Sequence, residues 1–135
     1  MRNIREIIVH CTATKFNREV TVAEIDSWHK SLGWKGIGYH YVVMLDGKIC
    51  AGRQVEEAGA HCIGHNSSSI GVVYVGGLDG MGQPKDTRTR EQKVSLRNLL
   101  VSLKDRYPQA RIFGHRDFAA KACPCFNAKA EYADI

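Results

Sequence analysis

His115, Lys121 and Cys123 fall within one short stretch, GHRDFAAKACPCF, and a further histidine, His10, closes the apolar run IREIIVH. Neutral imidazole and thiolate are preferred zinc ligands, and two histidines with one cysteine leave the fourth tetrahedral position open for water. An open position separates a hydrolytic zinc from a structural one. Structural sites bring four ligands in short paired clusters such as CxxC with HxxxH, and this chain has no such clusters. A zinc ion held by His10, His115 and Cys123 would lower the pKa of a bound water to about 7 and polarise a carbonyl, which is chemistry that cleaves amides or esters. Taken singly, each residue has a plainer reading. His115 suits an ordinary loop, and Cys123 suits a core, because free cysteine is among the most buried residue types. Cys123 paired with His115 as a nucleophile uses the same residues for a different hydrolysis.

Two further side chains stand near this set. Lys121, two residues before Cys123, brings an ammonium toward an oxygen that turns negative in a tetrahedral transition state. Spacing alone supports a solvated surface lysine equally. Tyr39 is a second hydrogen-bond donor to that oxygen or to the water, although its residue type by itself reads first as a half-buried aromatic at a strand end. His29 reads as a partly exposed helix residue rather than a ligand, and His40, next to Tyr39, points to the opposite face of its strand. His61 and His65 lie in a loop of small residues, EEAGAHCIGHNSS, where contact with substrate is the reading favoured for His61.

These groups need elements to position them. Ile4 to Val9 reads as a buried strand that delivers His10 to its carboxyl end. Thr21 and Glu24 form a capping box, Ile25, Trp28 and Leu32 follow at helical spacing, and Gly33 stops the helix. Tyr39 starts the first strand of a hairpin whose two-residue turn is Asp46 and Gly47. Ile70 to Val75 reads as a second buried strand, followed by GGLDGMGQPKD, which has the composition of an exposed loop. Thr89 with Gln92 caps a second helix with Leu96, Leu99, Leu100, Leu103 and Tyr107 on one face, ended by Pro108. Arg111 to Phe113 is a last short strand that presents His115, and residues 127–132 add a terminal helical turn. Strands alternating with helices predict an α/β fold with a central mixed β-sheet flanked by helices.

The chain has 135 residues, enough for one domain over 1–135 but not for two. A hydrophobic content of 44% and a charged content of 24% match a soluble globular protein. The formal charge of +5 favours anionic partners, but it is spread along the chain with no nucleic-acid-binding motif, so nucleic acid is not expected as a partner. No apolar run reaches transmembrane length, so no membrane insertion is expected. The N-terminus has charges within its apolar stretch and no small-residue cleavage site. Synthesis in the cytoplasm is therefore expected, with any target outside it reached by lysis or assisted export. Cys11, Cys50, Cys62, Cys123 and Cys125 form an odd set without framework spacing, which argues against disulfide stapling. Nothing demands more than a monomer.

The blocks VHCTATKF, WHKSLGW, GYHYVVMLDGKICAGR, GAHCIGHNSSSIGVVYVGG and HRDFAAKACP stand in the order and near the spacing of a known family. From about His10 to Phe126 the chain resembles the zinc-dependent N-acetylmuramoyl-L-alanine amidases of the peptidoglycan-recognition-protein superfamily, and most of all the amidase-type lysozymes of phage. The resemblance implies a mixed sheet flanked by helices, with one zinc ion at the end of a groove that holds a muropeptide. It implies hydrolysis of the amide between N-acetylmuramic acid and L-alanine in peptidoglycan. It places the zinc ligands on His10, His115 and Cys123, the two catalytic side chains on Tyr39 and Lys121, and substrate contacts on His61 and Asn66. It leaves the general base open, with Tyr39 acting through the bound water as one candidate. Some members of the superfamily bind peptidoglycan without cleaving it, typically for want of a zinc ligand, whereas this chain carries the full set. Cys125 departs from the family pattern, and its place two residues after Cys123 raises a ligand swap or a disulfide between the two.

Overall fold

A computed structural model describes residues 2–135. In chain order the elements are β1 (Glu6–Cys11), β2 (Thr14–Lys15), α1 (Val22–Ser31), β3 (Tyr41–Val43), β4 (Ile49–Ala51), β5 (Ser69–Tyr74), β6 (Gly77–Leu78), α2 (Arg90–Arg106), β7 (Arg111–Gly114) and α3 (Ala128–Glu131). Five strands make one mixed sheet in the order β4-β3-β5-β1-β7. β1 pairs in parallel with β5 and β7, β5 in parallel with β3, and only β4 runs antiparallel, to β3.

Ile7, Ile8, Val9, Val72 and Val73 are fully buried, which is why β1 and β5 read as continuous apolar runs: a parallel strand covered on both faces has no solvent side to mark with polar residues. One core lies beneath α2, where Ile7, Val9, Ile70, Val72 and Tyr74 meet Leu96, Leu100 and Leu103. A smaller one beneath α1 joins Val20 and Ile25 to Val42, Val73 and Val75. Both expected capping boxes form, with each threonine accepting from the third helical amide and each N3 side chain accepting from the cap amide. Gly33 follows α1 at a φ of +89°, a left-handed position that a residue with a Cβ resists.

Four details depart from the expectation. The ladder of β3 is regular only from Tyr41, although Tyr39 and His40 still bond across it, through Arg53 N–H to Tyr39 O and His40 N–H to Gly71 O. Along α1 only Ile25 is buried, and Trp28 and Leu32 remain 38% and 64% exposed. Gly77–Leu78, within the stretch read as a loop, pairs in parallel with Thr14–Lys15. Gln92 does more than cap: its side-chain amide is fully buried and donates to Val43 O and Val75 O, joining α2 to two strands of the sheet. Among the described residues no helix is long and apolar enough to cross a membrane.

Candidate metal centre and active site

His10 is the penultimate residue of β1, the strand between β5 and β7, and is 1% exposed. His115 opens a single 3-10 turn immediately after β7. That turn is fixed by Asp117, whose carboxylate accepts from Gly114 N–H at 2.8 Å. Cys123 sits on the returning loop and is held from two sides. Arg116 N–H donates to Cys123 O at 2.8 Å, closing the loop on itself, and the buried Tyr74 hydroxyl donates to Pro124 O at 2.6 Å. β1 and β7 run parallel with Val9 opposite Gly114, so the next residues, His10 and His115, come side by side.

The ligand atoms of His10, His115 and Cys123 all lie within 4.8 Å of one another. Cys123 Sγ is 3.9 Å from His10 Nδ1, and the two imidazole centroids are 4.5 Å apart. Around a tetrahedral zinc with bonds of about 2.0 to 2.3 Å, donor atoms stand about 3.3 to 3.7 Å apart, so the trio fits such an ion with a small inward adjustment. Protonation states point the same way. Burial holds His10 well below the ordinary histidine range, with the neighbouring His61 adding to the effect. His115 is lowered by burial and by Lys121. The Cys123 thiol is lowered by hydrogen bonds from the Cys11 thiol and the Cys11 backbone amide, the latter at 3.2 Å. Two neutral imidazoles and a thiolate are the forms a metal needs.

Tyr39 packs against His10 with ring centroids 5.1 Å apart. Its phenol is pushed up by burial and by the Cys123 and Cys11 sulfurs, which favours the protonated, hydrogen-bond-donating form. His29 stands behind it, half-buried, with its ring 5.3 Å from Tyr39 and its Nδ1 accepting from Gly38 N–H at 2.8 Å. It is no ligand, and it fixes the backbone that carries Tyr39. His40 is buried away from the ligand trio: its Nδ1 accepts from Gly71 N–H and its Nε2 donates to Glu57 O.

A groove of roughly 580 Å³ opens beside these groups, with His115, Lys121, His61 and Asn66 on its lining and Leu32, Trp34, Ile63 and Phe118 as apolar walls. The exposure of Leu32 and Ile63, 64% and 95%, is thus gathered along one cleft. Asn66 uses its side-chain oxygen to accept from the amides of both His61 and Cys62, which leaves its NH2 as the group free to donate. His61 is 9% exposed, with Nδ1 2.8 Å from His10 Nε2 and Nε2 3.2 Å from Ser69 Oγ. Burial, reinforced by His40, holds it at about 3. His65 bonds to Glu6 and stacks on Phe118. Cys125 turns away from the ligand atoms: its Sγ lies 3.9 Å from Cys11 Sγ and 3.3 Å from Gly77 O. Cys11 and Ser69, which touch Cys123 and the histidine behind His10, carried no signal in the sequence.

Fold and site together define a small α/β protein with a His–His–Cys group that could hold a metal ion beside a groove at the carboxyl end of its central strands. Residues 1–126 match the N-acetylmuramoyl-L-alanine amidase family, and the chain belongs to that family. It is similar to the endolysin of Klebsiella phage KP32, 47% identical over 124 residues that cover 92% of this chain and 82% of that one. It is also similar to the endolysin of Escherichia phage T7, 46% identical over 123 residues that cover 91% and 82%. Among solved structures it resembles the N-acetylmuramoyl-L-alanine amidase LysC from Clostridium intestinale at a TM-score of 0.82 and 30% identity, covering 96% of this chain and 82% of that one. Drosophila PGRP-LB shares the fold at a TM-score of 0.78 and 22% identity, covering 100% and 81%. The protein is a peptidoglycan amidase.

Proposed function

We propose that this amidase is zinc-dependent and cleaves the bond between the lactyl group of N-acetylmuramic acid and L-alanine, freeing stem peptides from the glycan. His10 through Nδ1, His115 and Cys123 would hold one zinc ion, whose chemistry is to activate water and polarise the scissile carbonyl. Tyr39, kept protonated by burial, donates a hydrogen bond to the carbonyl oxygen as it turns negative. Lys121, on the groove lining beside His115, brings a positive charge to the same oxygen. The muropeptide would lie along the groove, its apolar parts against Leu32, Trp34 and Ile63, with the Asn66 NH2 donating to a peptide carbonyl. Residues 1–135 act as one catalytic unit and as a monomer on the cell wall, reached after lysis or assisted export, in keeping with the phage endolysins among its relatives.

The observation that carries this reading is the convergence of three donors, each already biased to its metal-binding protonation state, beside an open groove. Purified peptidoglycan incubated with the protein, with and without chelator, and analysed by mass spectrometry provides the test. Peptides released with a free L-alanine amine, abolished by chelator and restored by zinc, are the expected result. Release that survives chelation but stops on thiol alkylation would place the chemistry on Cys123 itself. Binding of the polymer with no release in the presence of zinc would make the groove a recognition site.

A further inference from the structure

His61 lies on the groove lining, yet its ring is seated for another task. Both its nitrogens are engaged, Nδ1 with His10 Nε2 at 2.8 Å and Nε2 with Ser69 Oγ at 3.2 Å. The ring meets His10 edge-on, with an interplanar angle of 85°, so the two imidazoles meet through a nitrogen contact rather than by stacking. Two glycines make the slot. A Cβ at Gly59 would stand 2.6 Å from His61 Cδ2, and one at Gly71 would stand 2.7 Å from the same atom, so either side chain would drive the ring out.

The arrangement of protons follows from the donors. His10 turns Nδ1 toward Cys123, and a nitrogen that ligates a metal carries no proton. The proton of His10 therefore sits on Nε2 and is donated to His61 Nδ1, which must be bare. His61 then carries its own proton on Nε2 and donates it to Ser69 Oγ. We infer that His61 is a positioning residue for the metal ligand His10: it accepts the Nε2–H, fixes the ring plane and tautomer that aim Nδ1 at the metal, and reaches substrate at most through its carbon edge. This rests on the zinc-amidase reading above. Partners of this kind, behind a ligating histidine, are typically worth about 10- to 100-fold in metal affinity.

The test is the zinc dissociation constant, measured by chelator competition on wild-type protein, His61→Leu and His61→Asn, with kcat and KM on a soluble muropeptide at saturating zinc. His61→Leu is expected to bind zinc about 10- to 100-fold more weakly with KM little changed. His61→Asn, whose side-chain oxygen stands near the place of Nδ1, is expected to recover most of the affinity. Unaltered affinity in His61→Leu with a raised KM would make His61 a substrate contact and overturn the inference, as would an Asn variant no better than Leu. Nitrogen-detected histidine NMR of the zinc-loaded wild type needs no folded variant: His10 protonated on Nε2 supports the assignment, and His10 protonated on Nδ1 overturns it. Wild-type protein that binds no zinc at all would instead overturn the underlying metal reading, which separates the two failures.

Discussion

His10 and Cys11 are neighbours in β1, and their side chains enter two differently built halves of the molecule. Cys11 belongs to the core under α2, with Leu96, Leu100 and Tyr74. His10 faces the α1 side, where its ring meets those of Tyr39, His61 and His115. The α2 side is close-packed and apolar, and there burial drives folding at about 25 cal/mol per Å². On the α1 side, burial is turned against charge: it holds three histidines, His10, His40 and His61, in the neutral form. One face of the strand contributes stability, and the other uses that stability to keep polar groups dry and fixed.

The comparison breaks most sharply at the proposed ligands. His115→Ala should reduce peptide release to background and lower bound zinc, measured by metal analysis, while the far-ultraviolet circular dichroism stays that of the native fold. Lys121→Ala removes a proposed catalytic charge and none of the proposed ligands: release should fall by about 100- to 1,000-fold with zinc content unchanged, and loss of zinc there would contradict the proposed division of roles. On the opposite face, Leu100→Ala should cost about 2 to 5 kcal/mol of stability, read by denaturant unfolding. Its kcat at temperatures where it remains folded should match the wild type, and a lowered kcat would show that the two faces are coupled.

A further prediction separates the halves by pH. Each buried histidine has a folded pKa below its unfolded value of about 6.5, so the unfolded chain takes up protons that the folded chain refuses. The stability this contributes is fully present above about pH 6.5 and is lost as pH falls through that value, over a window that for His61 extends down to about 3, at up to about 1.4 kcal/mol per histidine per pH unit. Metal-free protein should therefore show a midpoint of unfolding that declines from about pH 6.5 downward. The Leu100→Ala variant should decline in parallel, from a lower starting point. A flat profile would mean that these rings are hydrated.

The sequence exposed the strand ends more clearly than what lies behind them. His10 and His115 follow apolar runs, and a residue at the end of such a run in an α/β sheet faces the end where sites form. The capping boxes are local chemistry and formed as expected, whereas the hairpin turns through three residues rather than two, with Gly47 N–H bonding to Met44 O around Leu45 and Asp46 and Gly47 itself left-handed. The partners of the site are not local. Ser69 and His10 are joined only through His61, 51 residues from His10, and Cys11 reaches Cys123 across 112. Pairing Cys125 with Cys123 was natural on spacing, yet the loop turns Cys125 toward Cys11. The apolar spacing of α1 suggested a full core face, but Trp28 and Leu32 stay exposed, and Leu32 serves as a groove wall. Periodicity reports that a residue is apolar, and not whether a helix or a ligand will cover it.

The place of β1 in the sheet governs when this enzyme can exist. It is the first strand made, but its second neighbour, β7, is the last. Until Gly114 has left the ribosome, an apolar strand waits with one edge unpaired, and Cys123 has yet to follow. Contacts spanning nearly the whole chain make folding slow and leave sticky intermediates exposed. On the proposed zinc reading the same delay would keep partial products inactive, because a chain that stops short of Cys123 would lack one of the three proposed ligands.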